Sequence, residues 1–146
     1  MEIGKERIIN EAFLEKGLDN VILWDVQEIK DCQLIKVKFI SKNSSHRQGI
    51  WLRTDKGIVI PELSDEKYPS ITLWEDTAPQ EIICKCYTDD GNLSVYNVYD
   101  KGNGRQSQSY TSGMLIEEKN GVLLYKCNDF GFETDFSDLV FSIEKL

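Results

Sequence analysis

Gln33-Leu34-Ile35-Lys36-Val37-Lys38-Phe39-Ile40-Ser41 sets Ile35, Val37 and Phe39 on one side of an extended chain and Lys36 and Lys38 on the other. Successive side chains of a strand point to opposite faces, so this alternation marks a sheet with one dry face and one wet face. Residues 21–30 carry a similar apolar run, and with Asp31-Cys32 between the two arms they predict a hairpin. Further along, Ile50-Trp51-Leu52-Arg53 and Gly57-Ile58-Val59-Ile60 flank Thr54-Asp55-Lys56, which reads as a second hairpin. Pro61 has no N–H to give to a ladder and ends that arm. Strands are also expected over residues 70–75, 81–88, 93–99, 114–118, 122–127 and 138–144. Asp90-Gly91-Asn92 and Asn120-Gly121 supply the residues that tolerate the positive φ of tight turns. Roughly ten strands are more than one flat sheet comfortably holds. The expected fold is therefore mainly β, an antiparallel β-sandwich with a β-barrel as the alternative.

Only one segment shows a helical period. Ile8, Ile9, Ala12 and Phe13 fall on one side of residues 5–16, and Gly17 supplies a C-terminal stop. This predicts an N-terminal α-helix whose apolar face packs on the sheet. The whole chain, 1–146, is then one domain, with the helix in 1–18 and the β portion in 20–146. The polar, proline-bounded stretch 61–69 is too short to separate two folding units.

The bulk numbers restrict the function classes. The chain has 146 residues, 40% of them hydrophobic and 29% charged, as expected of a globular domain that can bury one self-sufficient core. The formal net charge is −8, which argues against nucleic acid as a partner, because phosphate binding is carried by Lys and Arg. Residues 1–50 hold eight basic and eight acidic side chains, whereas 51–146 hold nine and seventeen. That asymmetry predicts an acidic surface suited to a partner with a basic one. No run approaches the ~18 apolar residues of a membrane span, and the start lacks a secretion-type apolar segment. The expected compartment is the cytoplasm, with no membrane association. There, Cys32, Cys84, Cys86 and Cys127 are expected to be reduced. Cys84 and Cys86 flank one residue of a strand, a spacing poorly matched to zinc, and read as core.

No stretch assembles catalytic machinery. His46, the single histidine, lies in Asn43-Ser44-Ser45-His46-Arg47-Gln48-Gly49, which has the composition of an exposed turn. The acid pairs Glu75-Asp76, Asp89-Asp90 and Glu117-Glu118 are adjacent, so on a strand their members diverge rather than face each other across a cleft. The expectation is a chain without enzymatic activity and without a cofactor.

Three stretches remain as binding candidates. Trp74 shares one strand face with Thr72 and Asp76, opposite Ile71 and Leu73, so Trp74, Glu75 and Asp76 read as a hot spot for a protein partner. The fourteen residues 100–113 form a long loop without apolar period, in which Arg105 sits among uncharged hydrogen bonders close to Tyr110. Gly102-Asn103-Gly104-Arg105 resembles part of a phosphate-cradling loop but lacks the following Lys and helix. Residues 128–138 put four acids, Glu133 and Asp135 among them, with three phenylalanines in eleven positions, and oxygen ligands for calcium are conceivable there. The leading expectation is an acidic protein-interaction domain that caps a basic surface, as immunity-type proteins and inhibitors do. Its contacts would be Trp74, Glu75, Asp76, Glu133 and Asp135. The alternative is a β-sandwich that holds a small polar ligand, a carbohydrate or nucleotide-like molecule, through Arg105 and Tyr110.

Overall fold

A computed structural model describes residues 6–102, 104–106, 112–129 and 135–146. Eleven strands form one antiparallel sheet: β1 (Ile8–Ile9), β2 (Ile22–Glu28), β3 (Gln33–Lys42), β4 (Arg47–Val59), β5 (Tyr68–Trp74), β6 (Glu81–Cys86), β7 (Asn92–Asp100), β8 (Arg105–Gln106), β9 (Gly113–Lys119), β10 (Val122–Asn128) and β11 (Leu139–Lys145). Eight of them close into a ring in the order β2-β9-β10-β11-β3-β6-β4-β7, and β7 returns to β2 through the pairs from Asp25↔Val95 to Glu28↔Asn92. β1 lies outside the ring on β2, β5 on β4 and β8 on β7.

The expected sandwich is thus replaced by a closed barrel. Bulges explain how the sheet curls. Between Arg53 and Ile58, β4 carries extra residues relative to β5, with Gly57 at φ +106 and its N–H held by the Thr54 hydroxyl at 2.9 Å. An extra residue bends and further twists the strand that carries it. Here the bend carries Ile58 and Val59 onto Cys86 and Lys85 of β6, the join that closes the ring on that side. Thr54-Asp55-Lys56 is accordingly not a hairpin turn but part of one bent thirteen-residue strand. Nor do β2 and β3 form the predicted hairpin. β2 pairs with β1, β7 and β9, whereas β3 pairs with β6 and β11.

The N-terminal α-helix is also absent. Ile8 and Ile9 pair as strand residues with Trp24 and Ile22, and only a six-residue 3-10 helix, Glu11–Lys16, follows. Asn10 caps it by accepting the Ala12 N–H at 3.1 Å, and Gly17 ends it at φ +78. The apolar pattern had a different cause from the one read. Phe13 alone is buried, against Phe136 and Val21 in a small cluster outside the barrel, while Ile9 and Leu14 are exposed.

Inside the ring, the registers bring Ile35, Val37 and Phe39 of β3 alongside Phe141 and Ile143 of β11 and Ile82 and Cys84 of β6, all of them buried. Tyr125 stacks on Phe141 with ring centres 4.6 Å apart. Removing a large apolar side chain from water stabilises by about 1.5–3 kcal/mol, so these inward rows dominate the fold. Among the described residues no helix is long and apolar enough to cross a membrane.

Candidate functional site

Residues 48–52 of β4 and 93–99 of β7 are buried on both faces, so the outside of the barrel is covered there. Cross-strand register aligns Thr72, Trp51 and Tyr96 in one outward row and Trp74, Gly49 and Val98 in the next. The Trp51 and Tyr96 rings stack at 4.4 Å, and Trp24 of β2 meets them at 5.3 and 4.9 Å. Gly49 leaves room for Trp74: a Cβ there would stand 2.9 Å from both the Trp74 ring and the Leu73 carbonyl oxygen. Two residues earlier on the same strand face, the Arg47 guanidinium carbon lies 4.3 Å from the Trp74 ring centre. Its Nε donates to both Asp76 carboxylate oxygens, at 2.8 and 2.9 Å. A neighbouring cation joins this face where Arg105 donates to the Thr72 hydroxyl at 3.0 Å.

Gln48, between Arg47 and Gly49, points the other way and is fully buried. Its Nε2 donates to Asp129 Oδ2 at 2.7 Å, and the same oxygen accepts the Ser44 hydroxyl at 3.1 Å. The Asp129 carbonyl accepts the Ser112 hydroxyl at 2.6 Å, its N–H donates to Asp138 at 2.9 Å, and Asn97 donates to the Asn128 carbonyl at 3.2 Å. Asn10 adds a bond to the Ser112 carbonyl at 2.6 Å. These bonds tie the start of β4 to the end of β10, β7 to β10, and the residue before β9 to Asp129. Burial pushes the Asp129 carboxyl above the ordinary range, and the nearby Asp138 charge adds to this. Hydrogen bonds from Gln48 and Ser44 oppose the shift without cancelling it.

Of the residues singled out from sequence, Trp74, Asp76 and Arg105 meet on this outer face. Glu75 turns away from them; its N–H donates to the Gln48 carbonyl at 2.9 Å, and it borders a groove of about 300 Å³ with Phe39, Ile40 and Gln80. Asp135 lies apart, exposed, its carboxylate accepting the Ser137 N–H and hydroxyl, which hold it below the usual carboxylate range. Tyr110 and Glu133 lie outside the described residues, as does the middle of the segment considered for calcium. Among the described residues no group of three or more His, Cys, Asp or Glu is gathered to hold a metal. Arg47 and Gln48 are not singled out by the sequence, and Asp129 stands there only among the four acids of 128–138, because their partners lie on remote segments and no local spacing announces them.

A second acidic locus sits on a different set of turns. Asp55 accepts the Thr88 hydroxyl at 2.7 Å and the Asp89 and Asp90 amides, while Asp31 accepts the Thr88 N–H at 3.0 Å. The cysteine thiols offer no reactive group in the core: burial pushes Cys84 and Cys86 up to about 12 and Cys127 well above its ordinary value. The arrangement is thus one of preset contacts: an aromatic ring, two guanidinium groups and a carboxylate. Comparison with protein-family models, with curated proteins and with solved structures gives no match, so the reading of this site rests on its own geometry.

Proposed function

We propose that this chain is a non-catalytic protein-interaction domain that meets a partner with a basic surface, in the manner of an inhibitor or immunity-type protein, through the rim around Trp74. The observation that carries the reading is the Trp74–Arg47–Asp76 assembly, in which a half-buried indole is seated on Gly49 and covered by a guanidinium that a carboxylate holds in place. Tryptophan and arginine dominate the energetics of protein interfaces. Side chains already fixed before contact lose less conformational freedom on binding. The net charge of −8 supplies long-range attraction toward a basic partner.

A second reading, a small polar ligand such as a carbohydrate or nucleotide-like molecule, is favoured by the Arg105–Thr72 contact beside the Trp51–Tyr96 stack. One set of variants separates the two. Native mass spectrometry of the protein isolated from its own source identifies the passenger, and its affinity is then measured for the Glu75→Lys/Asp76→Lys double variant and for Arg105→Ala. The interaction reading expects a stoichiometric protein whose binding falls at least about tenfold, with a flatter salt dependence, on charge reversal. Wild-type affinity in the charge-reversed protein removes this reading. A small-molecule passenger lost only in Arg105→Ala establishes the second.

A further inference from the structure

We propose that Asp129, in its protonated form, donates to Gln48 Oε1 and closes a two-bond acid–amide ring that latches the start of β4 to the end of β10. The starting point is Gln48. Its side chain is fully buried, its Nε2 donates to Asp129 Oδ2 at 2.7 Å and to the His46 carbonyl at 3.3 Å, and its Oε1 has no hydrogen-bond donor. A buried amide oxygen without a donor carries its full desolvation penalty. Rotating the amide would not help, because it would turn an oxygen toward two acceptors.

A proton on the neighbouring acid resolves this. Asp129 Oδ2 accepts from both Gln48 and Ser44, which is the role of the carbonyl oxygen of a carboxylic acid. The second oxygen is then the hydroxyl. When acid and amide lie edge to edge, that hydroxyl meets Oε1, as in the paired hydrogen bonds of an acid–amide dimer.

The surroundings favour the neutral acid. Among the described residues, the charged and titratable groups shown to act on Asp129 are Asp138, which accepts the Asp129 N–H, His46 from the β3–β4 connection, and the Cys127 thiol two residues before it on β10. Burial and the Asp138 charge disfavour an aspartate anion; Gln48, Ser44 and His46 favour it, and the balance holds the carboxyl above 3.8. The linkage sign follows. With its folded pKa above the unfolded value, Asp129 contributes stability that is fully present below the unfolded pKa and lost as pH rises through the folded one. Ionisation withdraws the donor from Oε1 and loosens β4 next to Arg47, so the latch is shut on the acid side and slack on the alkaline side.

The test pairs a titration with an isosteric variant. In the wild-type chain, the ¹³C shift of the Asp129 side-chain carbonyl is followed against pH by NMR; the latch requires a midpoint above 3.8, and a midpoint at or below it overturns the proposal. In Asp129→Asn, the new amide donates permanently to Gln48 Oε1. This variant is expected to be at least as stable as wild type on the alkaline side of that midpoint, with a flatter pH dependence. Lower stability there with an unchanged pH profile also overturns the latch.

Discussion

The Arg47 guanidinium carbon lies over the Trp74 ring, 4.3 Å from its centre, while its Nε is shared between the two oxygens of Asp76. Both contacts are partly exposed, and together such contacts are worth about 1 kcal/mol rather than several. Arg47→Ala is therefore expected to lower unfolding free energy in urea by about that amount and to shift tryptophan emission to the red as Trp74 gains solvent. An emission spectrum identical to wild type would show that Arg47 does not cover the ring.

Gly49 is fixed by crowding, not by backbone conformation. Gly49→Ala puts a methyl 2.9 Å from the Leu73 carbonyl oxygen, a backbone atom that cannot swing aside, and 3.1 Å from Val98. Overpacking of this kind costs about 1–3 kcal/mol. The melting temperature should fall by several degrees, and Trp74 should leave its seat. An unchanged melting temperature contradicts the close approach of β5 to β4.

Asp25 is a fully buried carboxylate satisfied by three donors, the Tyr125 hydroxyl at 2.6 Å, Arg7 Nε at 2.7 Å and Gln27 Nε2 at 2.8 Å. Tyr125→Phe removes one neutral donor and is expected to cost about 1–3 kcal/mol. Arg7→Ala removes the only cation paired with Asp25 among the described residues and should cost more, although Arg7 itself is half-exposed. Denaturant titration of the two variants checks the order, and the reverse order would mean that the ion pair contributes little.

Cysteine accessibility gives a direct readout of the closed ring. Cys32 is exposed, whereas Cys84, Cys86 and Cys127 are buried with thiols raised by desolvation. A colorimetric thiol reagent at mildly alkaline pH is expected to modify one cysteine rapidly in the native protein, and the other three only after denaturation. Rapid reaction of a second thiol would show that the barrel opens between strands.

Particular residues explain which features the sequence revealed. Ile35, Val37 and Phe39 alternate with lysines because β3 has one wet face, and that strand is legible at sight. Trp51 and Tyr96 sit on strands covered on both sides, where alternation carries no information. Ile8 and Ile9 satisfy a helical period as readily as a strand edge, and only the pairing with β2, remote in sequence, decides between them. Closure itself is written in the β2–β7 and β4–β6 contacts, which no local pattern encodes. At the candidate site, Trp74 and Asp76 are near neighbours in sequence and could be read together. Arg47 joins them from 29 residues away along the chain.

β11 bridges β10 and β3, and its register joins Lys145 to Ile35, 110 residues apart along the chain. During synthesis, β3 and β10 therefore wait with open hydrogen-bonding edges until residues 139–145 have left the ribosome. Contacts so distant in sequence make folding slow. The interval before that last strand arrives is when a nascent chain is most exposed to edge-to-edge association with its neighbours.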